Sequence, residues 1–96
     1  MAAYVIVDIE VKDHAIYEEY KSQTTESILA YGGRYLARGG LTEVLEGNWN
    51  PHRLVILEFE SLQRAKQWLN SPEYRPARGL RHSSAQTNMV VVEGIK

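Results

Sequence analysis

Three side chains could do chemistry together: Arg38, Glu58 and Asp8. An arginine beside two carboxylates can hold a substrate carboxylate or enolate through paired N–H donors. A carboxylate whose pKa is raised by desolvation can then shuttle a proton. The plainer use of the same trio is an ion-pair network at a subunit seam, since structural networks perturb pKa values too. Trp49 lies in the polar turn Gly47-Asn48-Trp49-Asn50-Pro51, where nothing local demands an indole. It would wall a pocket or anchor an interface, where tryptophan is enriched. Arg53, Tyr74, Arg75, Arg78 and Arg81 gather positive charge near one end of the fold, the last four in a short helical turn after Pro72. A basic turn attracts an anion; more often it is solvated surface. Trp49, Arg53, Tyr74 and Arg78 stand as the ligand-binding candidates beside the catalytic trio.

Other residue types point to core or to nothing specific. Tyr17, Tyr20 and Tyr31 follow helical spacing and read as core with hydroxyls at its edge. His14, His52 and His82 show no spacing for zinc or iron, so no metal is expected. His52 reaches the open sheet face only if the strand parity is off by one. Gly32-Gly33 and Gly39-Gly40 match no phosphate-binding loop, and no nucleophile elbow is present. The absence of cysteine excludes disulfides and thiolate chemistry by this chain.

The elements that must position these residues follow from periodicity. Tyr4 to Val11 alternates as a strand, with Val5, Val7 and Ile9 on one face and Tyr4, Ile6 and Asp8 on the other. Asp13 is a helix N-cap, and Tyr17, Tyr20, Thr24, Ile28 and Tyr31 make one helical stripe ended by Gly32-Gly33. Arg34–Arg38 and Leu41–Glu46 read as two extended pieces joined by Gly39-Gly40. His52 to Glu60 is a strand, with Val55, Leu57 and Phe59 opposite Leu54, Ile56 and Glu58. Ser61 caps a second helix carrying Leu62, Ala65, Trp68 and Leu69; Pro76 is expected to prevent a long continuation. Thr87 to Ile95 closes the chain as a strand.

The order β-α-β-β-α-β over residues 1–96 predicts one α+β domain, a ferredoxin-like sandwich with a four-stranded antiparallel sheet and two main helices on one face. The other face would carry Tyr4, Ile6, Asp8, Leu54, Ile56 and Glu58, with Asn88, Val90 and Val92. So many aliphatics demand a cover, while unpaired buried carboxylates are costly. Both facts predict a homodimer through this open face, as a dimeric α/β barrel that leaves a polar cavity.

A chain of 96 residues buries a thin core that association would help. Its net charge of −1 argues against nucleic acid and against a polybasic membrane patch. The N-terminus reads as a strand rather than a leader, and no apolar run approaches the roughly 18 residues of a membrane span. A cytoplasmic location is expected, which the lack of cysteine fits.

Tyr31-Gly32-Gly33-Arg34-Tyr35-Leu36-Ala37-Arg38-Gly39-Gly40, Leu45-Glu46-Gly47-Asn48-Trp49-Asn50-Pro51, Glu58-Phe59-Glu60-Ser61, Trp68-Leu69-Asn70-Ser71-Pro72-Glu73-Tyr74 and Glu93-Gly94 together resemble the bacterial domain of unknown function 1330 family. The resemblance covers nearly the whole chain; Glu60 stands where the family's motif usually has proline. It implies the dimeric α/β barrel superfamily, which includes antibiotic-biosynthesis monooxygenases and muconolactone isomerases, many working without metal or organic cofactor. Three functions follow as expectations. The first is a cofactor-independent enzyme that performs proton transfer or monooxygenation on a small organic acid or carbonyl compound, in a pocket between sheet and helices. The others are a dimeric module that binds a small ligand, and a purely structural pairing domain.

Overall fold

Alternation over nine residues makes β1 (Ala3–Val11) the central strand, because Val5, Val7 and Ile9 can be buried only on one side. It pairs antiparallel with β3 (Leu54–Phe59) on one edge and with β4 (Ala85–Glu93) on the other; β2 (Arg34–Arg38) pairs with β3 outside it. The sheet order is β2-β3-β1-β4. Three helices, α1 (His14–Ala30), α2 (Leu62–Leu69) and α3 (Arg75–Ser84), cover one face. The computed structural model describes residues 1–95.

The helix boundaries have local causes. Asp13 Oδ1 accepts the Ile16 amide at 3.1 Å and opens α1; Ser61 Oγ accepts the Arg64 amide at 3.0 Å and opens α2. Gly32, at φ +74°, and Gly33 return their amides to Leu29 and Ile28 at 3.0 and 2.9 Å, so the carbonyls left free at the end of α1 are bonded. Between helices and sheet lies one core of Val5, Val7, Ile9, Ile28, Leu57, Phe59, Trp68 and Tyr74.

Four expectations are corrected. Leu41–Glu46 is not a strand; residues 39–53 form a loop without regular structure. Its apolar residues Leu41, Val44 and Leu45 recur at three and four, not two, and Leu41 and Leu45 are 96 % and 90 % exposed. The strand expected from His52 starts at Leu54. The short helical turn after Pro72 extends into a ten-residue helix, α3, because Pro76 falls in its first turn, where a missing N–H costs nothing. The last strand accordingly begins at Ala85 and ends at Glu93 rather than Ile95.

A one-residue irregularity in β2 matters most. Arg34 and Tyr35 stand opposite Glu58 and Leu57, but Ala37 and Arg38 stand opposite Ile56 and Val55. Leu36 is therefore extra, a β-bulge, and every residue after it changes side.

Candidate functional site

The bulge breaks up the constellation expected from the sequence. Arg34 shares the open face with Glu58, and its Nε–H donates to the Glu58 carboxylate. Arg38, opposite Val55, faces the helices instead. Its guanidinium lies 4.4 Å from the centre of the Tyr35 ring and donates to the Lys21 carbonyl at 3.3 Å. Arg38 thus sits on the opposite side of the sheet from Glu58 and Asp8, and the three do not form one site.

Asp8 has partners of its own. Its carboxylate accepts the Trp49 indole N–H at 2.9 Å and the His52 amide at 3.0 Å. The His52 ring lies between Asp8 and Glu10, at 3.7 and 3.8 Å. His52 reaches this face without any parity error in β3, because it precedes the strand. Burial alone would raise the Asp8 pKa, but the Trp49 and His52 hydrogen bonds and the His52 charge outweigh it, and the carboxyl titrates below its ordinary value. Side-chain exposure is 12 % at Asp8 and 21 % at Glu58. Both acids are therefore shielded and partnered within one chain. Trp49 acts here as a clasp that ties the loop to β1.

Arg53 joins Arg38 on the helix side, where its Nε–H donates to the Tyr17 hydroxyl at 3.1 Å. Arg78 lies elsewhere, at a cleft of about 290 Å³ between α2, α3 and β4. Its floor is apolar, made by Val5, Trp68, Met89 and Val91; Arg81, His82 and Thr87 are its polar wall, and Lys66 and Arg78 complete the lining. An apolar cleft with a few converging polar groups is the usual form of a small-molecule site.

Arg81 is the centre of that wall. It is 4 % exposed, yet among the described residues no carboxylate lies within 4.0 Å of it. Guanidinium has donors only, which fixes the direction of each bond. Nε–H donates to Tyr74 Oη at 3.2 Å, Nη1 to Thr87 Oγ1, and Nη2 to His82 Nε2 at 3.3 Å. The imidazole therefore accepts at Nε2. Desolvation first, then the charges of Arg81 and Arg78, hold the His82 pKa below its ordinary value, so the ring is neutral near pH 7.

Tyr74 does not line the cleft. It stands behind Arg81, shares a proton with Tyr20 across 3.0 Å, and packs on Trp68 at 4.2 Å between ring centres. Burial, then the Tyr74 charge and hydrogen bond, push the Tyr20 phenol far above its ordinary pKa, so it stays protonated. Trp68 is fixed from the far side by its indole N–H to Ser27 Oγ at 3.1 Å. These groups hold the guanidinium at one position.

Sequence reasoning named Arg81 without choosing it, treated His82 as ordinary, and read Trp68 as core. The missed signal was the spacing of Arg78, Arg81 and His82, at three and four residues, which shares one helix face. It is visible only once α3 is recognised as a helix. Among the described residues no group of three His, Cys, Asp or Glu is placed to hold a metal ion, and no helix is long and apolar enough to cross a membrane.

The βαββαβ order and open sheet define a ferredoxin-like α+β fold. Residues 2–95 match the domain of unknown function family DUF1330, and the chain belongs to that family. No protein of curated function matches it by sequence. Among solved structures it is similar to RPA0582, a protein of unknown function from Rhodopseudomonas palustris, at 16 % identity and TM-score 0.80, covering 99 % of this chain and 83 % of that one. It is also similar to SnoaB, a cofactor-independent oxygenase from Streptomyces nogalater, at 10 % identity and TM-score 0.67, covering 99 % and 94 %. A dimeric protein of unknown function and ferredoxin-like fold from Bacteroides fragilis shares 17 % identity at TM-score 0.56, covering 97 % and 96 %.

Proposed function

We propose that the cleft between α2, α3 and β4 binds a small, mainly apolar organic acid or carbonyl compound as its oxyanion, and that the protein moves a proton on it. One observation carries this reading: Arg81 is a buried cation with no carboxylate to balance it. Burying an unbalanced charge is costly, and an arriving oxyanion supplies the missing counter-charge. An enol, phenol or 1,3-dicarbonyl compound entering beside Arg81 becomes more acidic, because its anion is the form the guanidinium stabilises. The oxyanion takes over the Nη2–H that now points at His82 Nε2. The neutral imidazole then has a free lone pair, and it accepts the proton. Arg78 and Lys66 steer the anion in, and the Trp68 floor packs on its apolar part.

Oxygenation is the second reading, favoured by the likeness to SnoaB over almost the whole chain. The carbanion character of a bound enolate is what a reaction with dioxygen would need. A small-ligand-binding module and a structural pairing domain remain as the non-catalytic alternatives. The pairing itself is proposed to run through the open sheet face, where Val90 is 61 % exposed beside Val92, Ile6 and Ile56.

Hydrogen–deuterium exchange into acetylacetone, followed by proton NMR, tests the chemistry. The wild-type protein should accelerate exchange, Arg81→Met should abolish the acceleration, and Arg75→Met should leave it intact. Exchange undiminished in Arg81→Met refutes the proposal. Saturable binding with no acceleration reduces it to the ligand-binding module.

A further inference from the structure

A pair of unbalanced guanidiniums lies at a second place between the sheet and α1. Arg38 and Arg53 line one interior crevice with Lys21, Tyr17, Tyr35 and Thr24. The crevice itself holds about 20 Å³, room for about one water. Ile9, Tyr17, Lys21 and Arg53 also line a larger cleft of about 570 Å³ that opens beside it. Among the described residues neither arginine has a carboxylate within 4.0 Å. Arg53 is half-buried over the Tyr17 ring, 5.7 Å from its centre. Gly39, at φ +71°, gives it space: a Cβ there would collide with the guanidinium.

Thr24, 3 % exposed, also lines the crevice, with its hydroxyl beside the Tyr20 phenol.

We propose that Arg38 and Arg53 form a second ligand site, one that takes the carboxylate of a small organic monoanion. The acids nearby select the charge. Glu18 is bound to Lys21 at 2.9 Å and Glu10 to Lys12 at 3.0 Å, so each of these lysines is already balanced. Two guanidiniums remain without a carboxylate partner, while the two carboxylates at the opening repel a dianion. The guanidinium forks match a planar carboxylate, and the tyrosine rings beneath them pack on its apolar body. Being separate from Arg81, this site does not depend on the proton-transfer reading.

The test is a titration of the full chain with benzoate, read on the arginine Nε–Hε correlations and repeated in Arg81→Met. The Arg38 and Arg53 signals should move saturably in both proteins, beyond the shift produced by sodium chloride of equal ionic strength. Arg53→Met should weaken this event by on the order of tenfold or more, the loss expected with a bidentate partner. Inorganic phosphate at pH 8, mostly dianionic, should bind at least about tenfold more weakly, because of Glu10 and Glu18. Arg38 and Arg53 signals that follow the salt control overturn the site, and this reading stands even if Arg53→Met fails to fold. Signals that move in the wild type but not in Arg81→Met show one site rather than two. Phosphate binding as tight as benzoate overturns the monoanion.

Discussion

Arg81→Met isolates the reason for a buried cation. Arg81 makes three hydrogen bonds, to Tyr74, Thr87 and His82. Bonds to a charged group are worth about 1.5–3 kcal/mol each. If they served stability alone, deleting them would remove on the order of 4 kcal/mol or more. Against that stands the desolvation of a guanidinium without a counter-ion, which costs several kcal/mol. Methionine keeps the length of the side chain, removes the charge, and fills the space with an adaptable apolar group. Tyr74 keeps Tyr20 as a partner, and Thr87 and His82 line the cleft and can turn to water. The two contributions therefore nearly cancel, and the variant should lie within about 1 kcal/mol of the wild type. In a domain of this size that corresponds to a melting shift within roughly 4–8 °C. Thermal unfolding followed by far-UV circular dichroism measures it, with urea unfolding as a check on two-state behaviour. A fall of more than about 15 °C would mean the guanidinium is a structural keystone, and the case for a functional cation at that position would be lost.

Four further outcomes follow from the geometry. The Asp8 carboxyl titrates below its ordinary value, so the stability it lends through the Trp49 clasp is complete above the unfolded pKa near 3.8 and is lost as pH falls through the lower folded value; Trp49 emission should shift to the red there, and Asp8→Asn should show the shift at pH 7. The His82 pKa is also lowered, so its ring costs nothing above about 6.5 and opposes folding as pH falls below that toward the folded value; His82→Gln should flatten the melting temperature between pH 7 and 5. Tyr20→Phe removes the hydroxyl partner of Tyr74 inside the core and should cost about 1–2 kcal/mol in urea unfolding. Val90→Arg places a charge on the uncovered sheet face; sedimentation should show a folded monomer, and an unchanged dimer would move the pairing surface elsewhere.

Much of this fold is legible in the residues themselves. Alternation in Tyr4–Val11 set both faces of β1, and Asp13 and Gly32-Gly33 bounded α1 within a residue, because each boundary depends on a local hydrogen bond. The polar wall of the cleft was harder to read for the same reason inverted. Pro76 looked like a stop, since whether proline begins or breaks a helix depends on which residue is first in that helix. Arg34 and Arg38 share parity in the sequence, and only pairing against β3 shows that Leu36 is surplus. His52 meets Asp8 through a long loop whose path no local pattern dictates. The dimer expectation rested on the aliphatic residues, which ask for a cover, together with the acids, which ask for a polar cavity within it. Asp8 and Glu58 turn out to be hydrogen-bonded at home by Trp49, His52 and Arg34, so the aliphatic residues alone now support the pairing.

The surplus residue in β2 also bears on how such a protein can change over generations. Ordinary point replacements at Arg34 or Arg38 would alter one charge and leave the other where it is. Loss of the single codon for Leu36 would straighten the strand and still leave Arg34 opposite Glu58 and Arg38 opposite Val55, each on the side it now occupies. A regular strand that kept Leu36 in the ladder would instead bring Arg38 opposite Leu54 and onto the uncovered sheet, so the pairing register at this point, rather than the amino acids around it, decides on which side the second cation lies.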